Sequence, residues 1–259
     1  MTKISIYSYS KYLIYVLATC FLIPSLSTAE TLSVWPKSIE LTSTKRTAPI
    51  KVVNSSNFPI TVQVKLNAWV QDQSREIYTP TKELLTSNAV INVAANSAKI
   101  IHLSLLRAAD PQKELAYSVH FEEVATHKVI ALTGVSKDLA PVSVPTAVPV
   151  LLPVFVVPDV GKRVSKLLWS VSIESNTLIK LQLQNEGSSH IKITNLLLSS
   201  IAEEHPLASL YGSSYILASQ AHTWLLTPTS EEDKVVGHVH LKAYSDAFNV
   251  DTVLAVEKP

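Results

Sequence analysis

The chain has 259 residues, of which 47% are hydrophobic and 17% are charged, a composition that excludes a largely disordered protein. Its length suits one large domain or two domains of about 100 to 130 residues. With 22 basic and 21 acidic residues, the formal net charge is +1, so the basic footprint typical of nucleic-acid-binding proteins is missing.

The first 29 residues have the organisation of a secretory signal peptide. Two lysines precede an apolar run from Leu13 to Leu26, and Ser27-Thr28-Ala29 then offers a small-residue cleavage site. The run is short for a membrane span and contains Pro24, so we expect cleavage after Ala29 rather than an uncleaved anchor. The one cysteine, Cys20, lies in this segment, so the exported chain would contain no disulfide.

Alternating apolar and polar residues dominate the rest of the chain. Period-two runs of β-branched and leucine residues occur at 50–53, 61–66, 180–184 and 236–241, and they predict half-buried strands. Turn signals rich in asparagine and serine follow two of these runs, at spacings that suit antiparallel sandwiches. No long helix is indicated. We therefore predict an all-β fold.

A break near Val157 to Arg163 divides the chain, because a strand there ends in a proline, an acid and a glycine before a new strand series begins. We expect an N-terminal sandwich over residues 30–157 and a C-terminal sandwich over residues 158–259. The halves share an order of apolar strand, Asn-Ser turn and second strand, at Ile50 to Trp69 and at Leu178 to Leu198, which favours two sandwiches of related type.

The segment from Ala140 to Pro158 is an apolar strand with a proline at every fourth position. Proline has no N–H, so these four odd-numbered residues remove donors from one side of the strand, while even positions keep theirs. This predicts an edge strand that is either held for a partner or protected against indiscriminate pairing. The sequence leaves open which side faces the strand's own neighbour. The prolines are Pro141, Pro145, Pro149 and Pro153.

The sequence contains no constellation that indicates catalysis or metal binding. His238 and His240 share one strand face, but no third ligand follows at a suitable spacing. Adjacent carboxylates, as in Glu122-Glu123, point to opposite faces of a strand and do not form an acid/base pair. Nucleophile elbows and phosphate loops are also missing from the sequence. We predict no enzymatic activity, no cofactor and no metal.

The four tryptophans are interpreted as core residues of the two sandwiches, since aromatic residues in such folds are usually buried. The alternative is a secreted sugar-binding or hydrolytic sandwich, which would require clustered acids or exposed tryptophans on one face. The residues concerned are Trp35, Trp69, Trp169 and Trp224.

Several segments, in matching order and spacing, resemble the PapD-like family of periplasmic pilus-assembly chaperones. Leu32–Leu41, Val52–Ser56 and Val62–Trp69 resemble the start of its N-terminal domain, and Glu114–Val124 resembles its strand F. Leu152–Pro158 is similar to the run into the second domain. Two later segments, Leu181–Leu196 and Ala243–Phe248, are similar to strands of that domain. Within the family, the chain resembles the archaic branch associated with spore-coat-U-like pili.

The resemblance implies two immunoglobulin-like sandwiches set at an angle, in a periplasmic chaperone that lends an edge strand to an incomplete pilin-like subunit by β-augmentation. It also implies delivery to an outer-membrane usher and self-association of the free chaperone through the same strand. The alternative for the lent valines is that they fill the core of their own domain. The lent residues would be Val142, Val144, Thr146, Val148 and Val150.

The chain departs from the family at two sets of positions. The family anchors the carboxylate at the subunit's C-terminus with two basic residues, where this chain has Ser38 beside Lys37 and then a stretch, Pro149–Pro153, with no basic residue.

The second departure concerns the contacts that hold the two domains together. In the family, acids matching Glu114 and Asp246 contact a linker arginine, whose position here is Val157, with Arg163 or Lys162 as substitutes. These departures leave a second hypothesis open, in which the chain is a divergent structural or accessory protein of a surface assembly that no longer chaperones subunits.

Overall fold

The structure is a computed structural model that describes residues 31–72, 74–125, 144–145, 148–158, 166–175, 178–201, 206–229 and 237–257. Within these residues the secondary structure consists of β-strands, with no helix, which confirms the all-β prediction. The expected signal peptide over residues 1–29 lies outside the described residues. No helix in the described ranges has the length and apolar character needed to cross a membrane.

The described residues between 32 and 156 form the first sandwich, made of two facing sheets. One sheet has the order β1-β3-β8-β6; the other has the order β2-β11-β9-β4-β5, with β7 also paired to β4 and β10 to β9. All pairs are antiparallel except β2 with β11. The strands are β1 (Leu32–Trp35), β2 (Ile39–Leu41), β3 (Thr47–Asn54), β4 (Ile60–Asp72), β5 (Arg75–Pro80), β6 (Leu84–Thr86), β7 (Val90–Val93), β8 (Ser97–Leu105), β9 (Leu115–Ala125), β10 (Val144–Pro145) and β11 (Val150–Val156).

Period-two alternation explains how these strands form a core. In β3, Ile50 and Val52 point inward, and Ile101 of β8, the cross-strand neighbour of Ile50, is buried in the same core. The opposite sheet contributes the aromatic rings of Tyr117 and Phe121 from β9. Burial of this apolar surface is the main stabilising contribution, since the described residues contain no cysteine.

The described residues between 167 and 257 form the second sandwich from a single path of strands in the order β15-β14-β17-β18-β12-β13-β16, which encloses its own core. The neighbours pair antiparallel except β12 with β18. The strands are β12 (Leu167–Ser175), β13 (Leu178–Asn185), β14 (Ile191–Ser200), β15 (Pro206–Ile216), β16 (Ala221–Leu226), β17 (His238–Ser245) and β18 (Asn249–Glu257).

Each sandwich contains a fully buried asparagine with the same hydrogen-bond pattern. Asn54, the last residue of β3, donates from Nδ2 to three carbonyl oxygens, and its Oδ1 accepts the N–H of Ser56. Asn185, the last residue of β13, also donates to three carbonyls, and its Oδ1 accepts the N–H of Gly187. The two sandwiches therefore share a hydrogen-bonded asparagine at the end of a strand.

The interpretation of all four tryptophans as core residues is wrong for Trp35. Its side chain is 53% exposed, whereas Trp224 is buried in the second core and the partly buried Trp169 packs against that core. Trp69 is buried, but in a separate cluster with Phe155 and Leu217 rather than in the first core. Trp35 is exposed because of the parity of β1, in which Leu32 and Val34 face the core and Trp35 must face the other way.

The two sandwiches belong to one compact unit over residues 32–259. They meet in a small apolar cluster in which Trp69 and Phe155 of the first sandwich contact Leu217 of the second. The predicted boundary between residues 157 and 158 stays a prediction, and residues 159–165 around it lie outside the described ranges.

Candidate functional site

Strand β11 lies between two neighbours that differ in length. It pairs antiparallel with β9 from Val150 to Val156, but on its other side it pairs with β2 only from Val154 to Val156. The stretch from Val150 to Pro153 therefore has no paired strand on its outer side within the described part of the chain. We call this stretch the open edge.

One hydrogen bond shows which side of β11 lacks the N–H donors of the prolines. The N–H of Val157 donates to the carbonyl of Leu41 at 2.8 Å, which places the odd-numbered positions of this segment on the β2 side. Pro149 and Pro153 share that parity, so their missing donors belong to the open edge and not to the β9 side. Along the open edge, Leu151 is the odd-numbered residue that keeps its N–H.

The even-numbered residues of β11 face the core of their own sandwich. Leu152, Val154 and Val156 are buried there, and Val150 is partly buried against the same core. Val148, just before the strand, is 89% exposed. Among the expected subunit-binding residues, Val150 thus contacts its own core in this structure, and Val148 is free for another surface.

The remaining expected subunit-binding residues are only partly described. The backbone of Val144 forms β10 and lies opposite Ala125 of β9, with a register that differs by two residues from the β9–β11 pairing. Val142 and Thr146 lie outside the described residues. The assignment of all five positions to subunit binding stays a prediction.

The expected carboxylate anchor consists of two exposed residues before β2. Lys37 and Ser38 are both exposed, and the Lys37 Nζ lies 4.6 Å from the ring centroid of Trp35 in a cation–π contact. Neither residue lines the cleft described below. Their role as an anchor stays a prediction.

A cleft of about 300 Å³ lies between the two sandwiches next to the open edge. Its first-sandwich wall comes from β4, β5, β9 and β11, and its second-sandwich wall comes from β15 and β16. We call it the aromatic cleft, because three of its lining residues are tyrosine or tryptophan. The lining residues that matter below are Trp69, Glu76, Tyr78, Leu151, Tyr215 and His222.

Glu76 is the acidic residue of the aromatic cleft. Its carboxylate accepts hydrogen bonds from two neutral donors, the indole N–H of Trp69 and the side-chain amide Nε2 of Gln71, the latter at 3.0 Å. No lysine or arginine of the described residues forms an ion pair with it. Burial and the nearby Glu76 charge together raise the pKa of Tyr78 to about 12, so Tyr78 is neutral at physiological pH.

Two histidines with unpartnered ring nitrogens lie on this side of the molecule. Burial lowers the pKa of His222, which lines the cleft, and also that of His120, whose ring packs edge-on against Tyr78 at 4.6 Å. Nε2 of His120 and Nδ1 of His222 are buried without a hydrogen-bond partner. Both rings are therefore predominantly neutral near pH 7.

Polar contacts also connect the two sandwiches near the apolar cluster of Trp69, Phe155 and Leu217. Glu114 is buried, and its Oε1 accepts the N–H of His190 at 3.0 Å and lies 2.6 Å from Nδ1 of the same histidine. The His190 ring stacks on Phe155 at 3.6 Å between centroids. Gln71 accepts the N–H of Leu217 at 2.9 Å. Glu114 thus contacts the second sandwich through a histidine.

The other residues expected at the junction have different surroundings. Asp246 accepts the N–H of Lys192 at 3.2 Å, and both residues belong to the second sandwich. Arg163 and Lys162 lie outside the described residues. The assignment of Glu114, Asp246 and Arg163 to interdomain contacts stays a prediction.

Sequence reasoning missed the aromatic cleft and the His190 contact. Trp69 and Tyr215 lie far apart along the chain and meet at 5.7 Å between ring centroids only because the sandwiches pack together. One local signal was present: Asn67 and Gln71 share the parity of Trp69 in β4 and are buried polar residues. Such a run indicates a sheet face that is covered by another part of the protein.

The possible metal ligands found in the sequence do not assemble into a site. His240 forms a hydrogen bond through Nε2 with Asp251, which lowers the pKa of that carboxyl group. Groups of three or more metal-ligating side chains are missing from the described ranges. Glu122 is paired with Lys65 at 2.6 Å.

The architecture defines a two-domain protein of immunoglobulin-like β-sandwiches with an open strand edge beside a cleft. The family model described as pili and flagellar-assembly chaperone, PapD N-terminal domain, matches residues 31–160, just over half of the chain. The chain belongs to this family. No curated protein matches it significantly.

Solved structures of pilus chaperones share the fold. A chain of the CsuC–CsuE chaperone–tip adhesion subunit pre-assembly complex, from archaic Csu pili of Acinetobacter baumannii, is 15% identical, with a TM-score of 0.59 over 89% of this chain and 100% of that one. The CupB2 chaperone of Pseudomonas aeruginosa is 14% identical, with a TM-score of 0.54 over 87% and 100%. A chain of the SafA pilin–SafB chaperone complex of Salmonella enterica is 17% identical, with a TM-score of 0.54 over 86% and 96%.

Proposed function

We propose that this chain is a periplasmic chaperone that binds an incomplete pilin-like subunit along the outer side of the segment from Val142 to Pro153. The observation that carries the proposal is the open edge, where pairing of β11 with β2 begins only at Val154 and an exposed valine, Val148, precedes the strand. A subunit strand added here would continue the sheet beyond β11 by main-chain pairing, while Val148 would bury its side chain in the subunit. The proposal includes export through a cleaved signal peptide and delivery to an outer-membrane usher.

Membership of a chaperone family supports a binding role without catalysis, cofactor or metal. The solved complexes named above pair a related chaperone with a pilin or a tip adhesion subunit, which suggests the class of partner. Burial of Trp69 and Trp224 removes two of the aromatic platforms that a sugar-binding sandwich would need.

The side on which the prolines lie favours a second candidate function. Because Pro149 and Pro153 remove donors from the open edge, a subunit strand paired there would lose main-chain bonds worth about 1 kcal/mol each. A divergent accessory protein that no longer chaperones subunits would have no need of those bonds.

Co-expression of the mature chain with a candidate pilin subunit separates these two functions. The chaperone proposal expects a stable one-to-one complex that survives affinity purification and size-exclusion chromatography. Replacing Val144 and Val148 with Asp should abolish the complex, because charged side chains cannot fill an apolar groove. Val253→Asp is a matched control, since Val253 is an exposed valine of the second sandwich. A complex that persists in the Val144→Asp, Val148→Asp variant would contradict the assigned strand.

A further inference from the structure

We propose that the aromatic cleft binds an arginine side chain of the partner, an assignment that rests on the proposed function for the partner's identity. The cleft adjoins the open edge, since Leu151 and Pro153 of β11 belong to its lining. A subunit strand paired with β11 would therefore pass directly along the mouth of the cleft. A side chain that projects from that strand toward the second sandwich would enter it.

The charge of the cleft selects for a cation. Glu76 is exposed and carries a negative charge, and the described lining residues include no lysine or arginine. Its two known hydrogen bonds come from neutral donors, and a carboxylate offers about four acceptor sites, so capacity remains for a charged donor. A carboxylate ligand would instead face the charge of Glu76, with no lysine or arginine among the described lining residues to offset the repulsion.

The hydrogen-bonding groups of the cleft also suit a donor-rich ligand. Nδ1 of His222 is buried without a partner on a ring that is neutral near pH 7, so it accepts a hydrogen bond in one tautomer. Pro153, at the edge of the cleft, has no N–H that would compete with a donor-rich ligand. Ser213 adds a hydroxyl oxygen. The guanidinium group has five donors and no acceptor, which matches this set.

The aromatic walls distinguish arginine from lysine. The buried Trp69 and the partly exposed Tyr78 and Tyr215 line the cleft with apolar ring surface. A guanidinium group is planar and more weakly hydrated than an ammonium group, and it stacks on such rings at a smaller desolvation cost. The ring of Tyr215 already has Lys192 Nζ at 5.3 Å, so Tyr78 is the ring left for the ligand to contact.

The probe for this site is Nα-acetyl-arginine amide, with Nα-acetyl-citrulline amide as a neutral ligand of nearly the same shape. Binding to the mature chain is followed by the NMR shift of the Trp69 indole N–H, which donates to Glu76 and is assigned with Trp69→Phe. We expect the arginine compound to bind at least about fivefold more tightly than the citrulline compound at low salt, and to lose that advantage in about 0.5 M NaCl. Equal binding of the two compounds would overturn the proposal.

Substitution of Glu76 tests whether the preference for the arginine compound depends on this carboxylate. Glu76→Gln should reduce the affinity for the arginine compound to that for citrulline, while Glu174→Gln, at an exposed position of β12, should leave it unchanged. Thermal unfolding of Glu76→Gln verifies that the variant is folded. Tighter binding of Nα-acetyl-glutamate amide than of the arginine compound, or full affinity in Glu76→Gln, would contradict the assignment.

The two proposals fail in distinguishable ways. If a pilin complex forms and depends on Val148, but the arginine compound does not bind the free chain, the cleft assignment is wrong and the chaperone function stands. If the arginine compound binds through Glu76, but no subunit complex forms with any candidate, the guanidinium site stands and the chaperone function is wrong.

Discussion

The N–H of Val157 donates to the carbonyl oxygen of Leu41 across 2.8 Å, and this bond determines which side of β11 the prolines weaken. Because Val157 and Pro153 have the same parity, the donor missing at Pro153 belongs to the outer side of the sheet. The side paired with β9 is intact. The edge is therefore protected against indiscriminate pairing at the place where a partner strand would add.

Restoring a donor on the open edge should increase pairing. Pro149→Ala returns one N–H to the outer side, and an extra main-chain bond contributes about 1 kcal/mol. We expect stronger self-association of the free chain, measured as a higher weight-average sedimentation coefficient at equal concentration. Pro228→Ala, in the second sandwich, is the matched control. Identical sedimentation of Pro149→Ala and the unmodified chain would argue against an accessible edge.

The two buried asparagines, Asn54 and Asn185, should contribute strongly to the free energy of unfolding. Asn185→Asp removes three donated hydrogen bonds and leaves buried carbonyls unpaired, which we expect to cost about 2 to 4 kcal/mol in the free energy of unfolding. Asn54→Asp should have a similar effect on the first sandwich. Urea unfolding, followed by tryptophan fluorescence, measures both. Asn249→Asp, at an exposed position, serves as the control, and equal midpoints for all variants would refute the prediction.

The contact between Glu114 and His190 should stabilise the junction far more than Asp246 does. Glu114→Ala removes a buried carboxylate that accepts two hydrogen bonds, at an expected cost of about 2 to 4 kcal/mol. Asp246→Ala removes one exposed acceptor and should cost less than about 1 kcal/mol. Thermal unfolding monitored by circular dichroism compares the two. A loss for Asp246→Ala as large as that for Glu114→Ala would contradict the structural ranking.

The two half-buried histidines, His120 and His222, predict a loss of stability in mild acid. Burial lowers the pKa of His120 and His222 below the unfolded value of about 6.5, so the unfolded chain binds more protons as the pH falls. Their stabilising contribution is complete above about pH 6.5 and declines as the pH falls toward the folded-state pKa. Glu122, Lys65 and Glu76 are the charged groups that modulate these shifts.

The measurement is the free energy of unfolding at about pH 7.5 and about pH 5, in the unmodified chain and in the double variant His120→Gln, His222→Gln. The double variant should lose less stability between the two pH values. An unchanged or steeper loss would show that other groups carry the pH dependence.

Local patterns in the sequence were sufficient to predict the strands, but they could not predict the geometry of the open edge. The alternation at 50–53, 61–66 and 180–184 predicted segments that lie within β3, β4 and β13, because strand alternation depends on near neighbours. The side on which Pro149 and Pro153 lie depends on pairing with β2, more than 100 residues earlier, which no local pattern contains. The exposure of Trp35 could not be predicted either, because it depends on which face of β1 is turned toward the core.

The aromatic cleft could not be predicted, for a related reason. Its walls come from strands of both sandwiches, so residues such as Tyr78 and His222 have no relation in the sequence that would bring them together. The resemblance to pilus chaperones predicted the fold and the family, and both are confirmed. It also implied basic anchor residues, whereas the lining of this cleft carries an acid.

Amide hydrogen exchange at Leu151 tests the central claim most directly, because its N–H is the donor that remains on the open edge between Val150 and Pro153. In a purified complex with a candidate pilin subunit, exchange at Leu151 should slow by at least about tenfold relative to the free chain, which corresponds to about 1.4 kcal/mol of protection. The N–H of Leu152, on the β9 side, should change little. A complex in which Leu151 exchanges as fast as in the free chain would contradict subunit binding along this edge.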